Sequence, residues 1–350
     1  MSARAPFEIN GEFIQPGEQR FVNLPIPRLN SSNQSSMPVQ VLHTKKDGPR
    51  LFVSAAVHGD ELNGIEIIRR LLLHKSLKRM RGTLVSVPIV NVYGVVNAAR
   101  YMPDRRDLNR FFPGSEKGSL TARVANMFMT EVVKRCTHGI DLHTGAIHRT
   151  NLPQIRANLN DLETERLARA FGVPVMLNSA FRDGSLRECA ANEGIPMLLY
   201  EAGEALRYDE LSIRSGVKGI LNVMRELGML EAKKQSNKKP IEPFVAYKSQ
   251  WLRAPETGML RTTKSLGDSV NKDDILGYID DPYRNTQHPI EALVRGVIIG
   301  RAQNPLVHEG DAVFHIARFQ DDFDEVGEQV NSFNENYSDD LARDLEPSIV

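Results

Sequence analysis

Apolar and polar residues form two kinds of pattern along most of the chain: short apolar stretches and apolar residues with helical spacing. Short, largely apolar stretches predict buried strands at 51–57, 84–90, 138–143, 174–178 and 196–201. Apolar residues with helical spacing separate or follow these runs, which predicts helices at 61–75, 119–135, 161–170, 185–193 and 208–229. Strands that alternate with helices predict an α/β fold, in which helices cover both faces of a mixed or parallel sheet.

The N-terminal residues, 1 to about 50, have shorter apolar stretches that are typical of β-hairpins. The segments that we expect to form these hairpins are 7–13, 19–24 and 39–43. A run of serine and asparagine residues predicts a polar loop at 30–37.

A charged segment that ends in proline, 231–240, separates the α/β region from a C-terminal stretch of short strands. That stretch repeats a glycine followed by a Gly-Asp turn, at 258–268 and again at 296–311. The repeat resembles the barrel-sandwich fold of biotinyl and lipoyl carriers, although the expected hairpin tip at 288–296 contains no lysine. We therefore divide the chain into three parts: a main domain at 1–235, an all-β barrel-sandwich domain at 244–318 and an acidic tail at 319–350.

Two candidate metal ligands, His58 and Glu61, follow the apolar run 51–57 where a strand gives way to a helix. Open α/β sheets bind their ligands at the carboxyl ends of the strands, and imidazole and carboxylate are ligands of catalytic zinc. His143, at the end of the run 138–143, provides a third donor. For a single His-x-x-Glu pair, the alternative is a surface histidine in a turn and an acidic residue that favours the helix N-terminus.

A basic loop at 100–114 combines four arginines with three proline or glycine residues. This composition does not suit a helix interior or a central strand. Guanidinium groups bind carboxylates with two hydrogen bonds, and near a metal they also stabilise an oxyanion. The loop is therefore a candidate for substrate binding, and a solvated basic loop is the alternative.

Four motifs in this order resemble the succinylglutamate desuccinylase/aspartoacylase family, a branch of the zinc carboxypeptidase-like fold. They are His-Gly-Asp-Glu at 58–61, Asp-Leu-Asn-Arg at 107–110, Asp-Leu-His-Thr-Gly at 141–145 and Tyr-Glu-Ala-Gly at 200–203. The resemblance covers nearly the whole chain and implies a zinc-dependent hydrolase in the domain at 1–235. The loop that contains Arg105 and Arg106 is longer than in aspartoacylase. A tyrosine that the C-terminal domain supplies in aspartoacylase has no motif-level match, and Tyr283 is the candidate substitute.

The resemblance implies one zinc ion per chain, bound by His58, Glu61 and His143. Asp141 either accepts a hydrogen bond from the outer nitrogen of His143 or only ends the strand. Glu201 matches the catalytic glutamate of the family, which takes a proton from zinc-activated water and returns it to the leaving amine.

Four arginines and one asparagine complete the implied site. Arg100 matches the arginine that polarises the scissile carbonyl, and Asn109 and Arg110 match the pair that binds a substrate carboxylate. Arg187 resembles a further carboxylate-binding arginine. Arg156 follows the third ligand closely enough to line the same cleft. For Arg156 and Arg187, a surface ion pair is the alternative.

The composition narrows the classes of protein. The chain has 350 residues, of which 41% are hydrophobic and 25% charged, as in ordinary globular proteins. Basic and acidic residues balance at 44 each, which argues against nucleic-acid binding through bulk charge. Two cysteines provide no disulfide framework, and no apolar run suits a signal sequence or a membrane span. We expect a cytoplasmic protein without nucleic-acid or membrane partners, and a homo-oligomer stays open.

Together these features predict a zinc-dependent amidohydrolase that removes the acyl group from an N-acyl amino acid, and that does not cleave peptide bonds of proteins. One alternative is a zinc carboxypeptidase or peptide amidase that uses the same centre on a longer substrate. A second alternative is a non-catalytic binding protein. The complete set of catalytic residues and the missing carrier lysine argue against the second.

Overall fold

The computed structural model describes residues 4–29, 35–232, 242–284, 286–319, 326–330 and 332–334. The strands are β1 (Phe7–Ile9), β2 (Glu12–Ile14), β3 (Glu18–Pro25), β4 (Ser36–His43), β5 (Arg50–Ala55), β6 (Thr83–Val87), β7 (His138–Gly145), β8 (Arg149–Ala157), β9 (Val175–Asn178), β10 (Met197–Glu204), β11 (Phe244–Arg253), β12 (Gly258–Thr262), β13 (Ser269–Val270), β14 (Ile275–Asp280), β15 (Gln287–Glu291), β16 (Gly296–Ala302), β17 (Leu306–Val307) and β18 (Ala312–Phe319). The helices are α1 (Asn63–Leu72), α2 (Val92–Val96), α3 (Leu120–Glu131), α4 (Leu162–Phe171), α5 (Leu186–Asn192) and α6 (Glu210–Glu226). Turns of 3-10 helix occur at Lys75–Arg79, Leu108–Arg110 and Val133–Arg135.

The alternation of strands and helices predicted for the α/β region is confirmed, with element ends that differ by a few residues. Two elements there, α2 and β8, were not predicted. In β8, Pro153 and several polar residues interrupt the apolar pattern. The pairing of β8 with β10 also shifts between Glu201 and Gly203, opposite this part of β8, so the ladder there is irregular.

The predicted polar loop at 30–37 is wrong at its C-terminal end. Ser36 and Met37 already belong to β4, and Met37 is fully buried in the core. Residues 30–34 lie outside the described residues, as do residues 233–240 of the predicted linker.

A twelve-stranded mixed sheet organises the described residues, in the order β13-β16-β18-β11-β9-β8-β10-β7-β5-β6-β4-β3. Strands β10, β7, β5 and β6 run parallel to their neighbours in this series. Strand β8 is antiparallel to β10 and parallel to β9. The predicted α/β fold with a mixed sheet is therefore confirmed.

Helices bury both faces of the central strands. Along β5, Leu51 and Val53 contribute to one apolar core, which includes residues of α1, α4 and α6. Phe52, between them, points to the other face and belongs to a second core with residues of α3 and α5. Strands buried on both faces have continuous apolar sequences, and their ends are held rigidly. None of the helices in the described ranges is long and apolar enough to cross a membrane.

The C-terminal strands connect to the main sheet at two places. Phe244 of β11 pairs with Val175 of β9, and Gly300 of β16 pairs with Asn151 of β8. A second sheet has the order β15-β14-β12-β17. The residues described between 244 and 319 thus form strands and no helix, and the barrel-sandwich assignment stays a prediction. Most of the predicted acidic tail lies outside the described residues.

Candidate metal and catalytic site

The site residues come together because three parallel strands end at the same edge of the sheet. Strand β5 pairs with β7 through Ala55 and Leu142, and β7 pairs with β10 through His143 and Glu201. His58 follows the end of β5 by three residues. The side chains of His58, His143 and Glu201 therefore line one cleft at the carboxyl ends of adjacent strands.

The turn that carries His58 is packed tightly against the chain that leads to Arg100. Ala56 has a φ of 51°, in the left-handed region that residues with a side chain rarely adopt. A Cβ atom on Gly59 would lie 2.1 Å from the backbone carbon of Gly94, so only glycine allows this approach. The backbone N–H of Gly59 also donates to the carbonyl of Arg100. These contacts fix the positions of His58 and Arg100 relative to each other.

Three buried donors form a compact group. Nδ1 of His58 is 2.8 Å from Oε1 of Glu61, and Nδ1 of His143 is 2.8 Å from Oε2 of the same carboxylate. One ligand atom from each residue falls within 4.8 Å of the others. This is the only group of three or more such donors within the ranges that the structure describes.

The outer nitrogen of each imidazole contacts a second carboxylate. Nε2 of His143 lies 2.7 Å from Oδ2 of Asp141, and Nε2 of His58 lies 3.0 Å from Oδ1 of Asp107. Ser54 donates to the other oxygen of Asp141. Carboxylates in these positions orient ligating histidines, so Asp141 does more than end its strand. Asp107 was not expected in this contact, although it lies in one of the four motifs.

The side chains of this group and the outer carboxylates shift one another's pKa values. Burial alone would raise the pKa of Glu61, but the imidazoles of His58 and His143 hold it well below its usual range. Burial opposes protonation of His143, yet the carboxylates of Asp141 and Glu61 raise its pKa well above the usual value. The pKa of His58 is also raised, because Glu61 and Asp107 outweigh burial. The buried Glu61 carboxylate thus requires positive charge beside it.

A zinc ion fits this group. Two imidazoles and one carboxylate are a ligand set of catalytic zinc sites, and a bound dication would compensate Glu61 while the histidines stay neutral. The outer carboxylates hold the Nδ1 atoms of both histidines toward Glu61. His58, Glu61 and His143 are therefore the residues that would bind the metal.

Glu201 lies beside this group and has two polar neighbours. Asn151 donates through Nδ2 to Oε1 of Glu201 at 3.1 Å. Nε of Arg156 is 3.4 Å from Oε2. Both neighbours come from β8, the strand that sequence patterns did not predict, so Asn151 had no signal as a site residue.

The arginines of the site differ in how they are held. Arg100 contacts Oε1 of Glu61 at 3.0 Å and Oδ2 of Asp107 at 3.3 Å. Arg187 is buried and donates to the carbonyl groups of Ser179 and Ala180. Burial and repulsion from other arginines lower the pKa of Arg187 to about 10.

Asn109 and Arg110 occupy different positions at the cleft. The side-chain oxygen of Asn109 accepts a hydrogen bond from the backbone N–H of Leu186, which fixes its amide. The guanidinium group of Arg110 donates to the Asn109 carbonyl. No acidic side chain of the described residues pairs with Arg110, so its remaining N–H groups are available to a ligand.

A cleft of about 430 Å³ brings all of the predicted site residues together: His58, Glu61, Arg100, Asn109, Arg110, His143, Arg156, Arg187 and Glu201. Arg149, Arg182 and Trp251 also line it and were not predicted. Tyr283 is 94% exposed and is not among the lining residues, so it is not the aromatic group that the C-terminal strands supply. Trp251 of β11 has that position, and it lies fifty residues beyond Glu201, the lining residue that precedes it in the sequence. His315 stacks on Trp251 at 4.6 Å between ring centroids.

The fold and the site define a class of α/β protein with a His-Glu-His group that could hold a metal ion at the ends of parallel strands. The sequence profile of the succinylglutamate desuccinylase/aspartoacylase catalytic domain matches residues 47–227. The chain belongs to this family. The match spans both motifs that contain the candidate metal ligands, the basic loop and Glu201.

Relatives extend the similarity over most of the chain. N-alpha-acetyl-L-2,4-diaminobutyric acid deacetylase of Halomonas elongata is 28% identical over 332 residues, covering 91% of this chain and 94% of the relative. The product-bound ectoine utilization protein EutE (DoeB) of Ruegeria pomeroyi has a TM-score of 0.77 at 24% identity, covering 90% of this chain and 99% of that protein. A succinylglutamate desuccinylase/aspartoacylase of Rhodobacter sphaeroides has a TM-score of 0.76 at 24% identity, covering 86% and 95%. These solved structures share the fold of the protein.

Proposed function

We propose that the protein is a zinc-dependent amidohydrolase that removes the acyl group from a small N-acyl amino acid. The observation that carries this proposal is the buried group of His58, Glu61 and His143 beside Glu201, in a cleft lined by arginines. The Halomonas elongata relative, a deacetylase of an N-acetylated amino acid, supports the same reaction class.

The metal ligands, Glu201 and Arg100 have separate roles in the proposed reaction. A zinc ion bound by His58, Glu61 and His143 would lower the pKa of a water molecule and polarise the amide carbonyl. Glu201 takes a proton from the attacking water and delivers it to the nitrogen of the leaving amine, which breaks the C–N bond. Arg100 donates hydrogen bonds to the carbonyl oxygen as negative charge develops there.

The remaining cationic groups select the substrate. Arg110, whose guanidinium group has no acidic partner in the described part of the chain, binds a substrate carboxylate, and Asn109 supports it. Arg156 and Arg187 add positive charge at the same cleft. A substrate with at least one carboxylate is therefore preferred over a neutral amide.

Replacing Arg110 with alanine is expected to lower kcat/KM roughly 10- to 100-fold on substrates with a free carboxylate, because a charge-assisted pair of hydrogen bonds is lost. The measurement compares each substrate with its carboxamide analogue. Arg123→Ala, which removes an exposed arginine of α3 outside the cleft, is the matched control. Equal losses on the acid and on its carboxamide would contradict a carboxylate clamp at Arg110.

The reaction class is tested with N-acetyl, N-succinyl and N-formyl amino acids beside blocked dipeptides, with and without a chelator. We expect release of the free amino acid from one acyl series, and loss of that release when the chelator removes zinc. Cleavage restricted to the peptides would instead identify a carboxypeptidase or peptide amidase. No hydrolysis by the zinc-loaded protein would count against the proposed activity.

A further inference from the structure

A second groove adjoins the catalytic cleft where strands β9 and β11 pair. Its volume is about 460 Å³, and Arg156 and Ser179 line both spaces. Asn178 and Gln250 add neutral amide groups to its wall. The described residues that line it include no aspartate or glutamate, so the groove has only positive charge.

Two of its cations face each other across a strand pair. Lys248 of β11 is directly opposite Arg318 of β18 in the antiparallel register, and both side chains line the groove. Like charges in this position destabilise a sheet. Neither side chain has an acidic partner among the residues that the structure describes. An anion bound between them would remove this repulsion.

A third cation, Arg156, lies where the groove meets the cleft. Its Nε atom is buried and makes no hydrogen bond, although Oε2 of Glu201 lies 3.4 Å away. Glu201 already accepts a hydrogen bond from Asn151. The Arg156 guanidinium group contacts Glu201 but makes no hydrogen bond through Nε. The same groove contains two further cations, Lys248 and Arg318, that have no acidic partner among the described residues.

We propose that this groove is a second carboxylate-binding site, in which Lys248, Arg318 and Arg156 bind a small organic anion beside the catalytic cleft. The inference rests on the proposed function, since the anion is a carboxylate on the distal end of the substrate or a free acid such as the one released. Both sources present the same chemical group to the same three cations. A carboxylate there also competes with Glu201 for Arg156.

Two measurements on the zinc-loaded full chain distinguish the sources. Calorimetry measures the Kd of succinate, and kinetics compares the KM of the N-succinyl and N-acetyl forms of one amino acid. The double variant Lys248→Gln/Arg318→Gln removes two charge-assisted contacts to the anion. We therefore expect either the Kd of succinate or the KM of the N-succinyl substrate to rise about tenfold or more. A higher Kd for succinate in the double variant indicates that the groove binds the free acid. A higher ratio of the N-succinyl KM to the N-acetyl KM in the double variant indicates that the groove binds a carboxylate on the substrate.

A second variant tests the same site without removing Arg318. In Lys248→Glu, the new carboxylate pairs with Arg318 across the strands and occupies the groove from within. We expect the same loss of succinate binding or of N-succinyl preference, together with a Tm about 1 °C higher, since a like-charge pair becomes an opposite-charge pair. Lys272→Gln changes an exposed lysine outside the groove and the cleft. This control should leave the Kd of succinate, the ratio of the KM values and the Tm unchanged.

The proposal is overturned if both groove variants fold and match the wild type in the Kd of succinate and in the ratio of KM values. If the wild type hydrolyses no N-acyl amino acid, the proposed function fails. The Kd of succinate, which calorimetry measures in the wild type and the variants, still tests the anion site. The two failures are therefore distinguishable.

Discussion

Replacing Glu201 with glutamine is expected to lower kcat by roughly a thousandfold while the protein keeps its zinc. General acid–base catalysis contributes about 10²- to 10⁴-fold to a rate, and an amide of the same shape cannot accept the proton of the attacking water. Glu201 is not one of the three grouped donors, so its loss leaves the ligand set intact. The measurements are kcat on the best substrate and zinc content by elemental analysis.

Glu204→Gln is the matched control for this prediction. Glu204 lies three residues further along β10, accepts a hydrogen bond from the backbone N–H of His148, and does not line the cleft. We expect its kcat to stay close to that of the wild type. A Glu201→Gln enzyme with nearly unchanged kcat would remove Glu201 from the mechanism. Simultaneous loss of zinc and activity would instead assign it a role in metal retention.

The sequence predicted the centre of the fold because apolar runs buried on both faces leave little ambiguity. Leu51, Phe52 and Val53 are all fully buried, and such a run can only be a central strand or a buried helix. Once the strands were assigned, the positions of His58, His143 and Glu201 at strand ends placed them at one edge of the sheet. Their closeness followed from topology without any knowledge of distances.

The parts that were missed depend on contacts between distant segments. Strand β8 carries Pro153 and polar side chains that face the cleft, so its sequence lacks the period of a strand. Trp251 reaches the cleft only because β11 joins the sheet beside β9. The contact of Asp107 with His58 likewise depends on the path of the basic loop. No local pattern encodes these pairings.

Loss of one metal-site residue is expected to weaken zinc binding more than any other change in the site. Removal of an outer-sphere partner typically costs about 10- to 100-fold in metal affinity. We therefore expect the Kd for zinc to rise at least about a hundredfold in His58→Ala, Glu61→Ala and His143→Ala, since each removes a direct donor. Competition with a chromophoric chelator measures this Kd independently of activity.

Variants of the outer carboxylates, Asp141 and Asp107, should lose less zinc affinity than the alanine variants and so allow a comparison. Asp141→Asn and Asp107→Asn keep the three donors and only weaken their orientation, so their Kd should lie between those of the wild type and the alanine variants. Added zinc should raise the Tm of each protein in the same order, because a ligand stabilises the folded state according to its affinity. Stoichiometric zinc in all three purified alanine variants would show that His58, Glu61 and His143 are not the metal site. The buried charge of Glu61 would then need another partner.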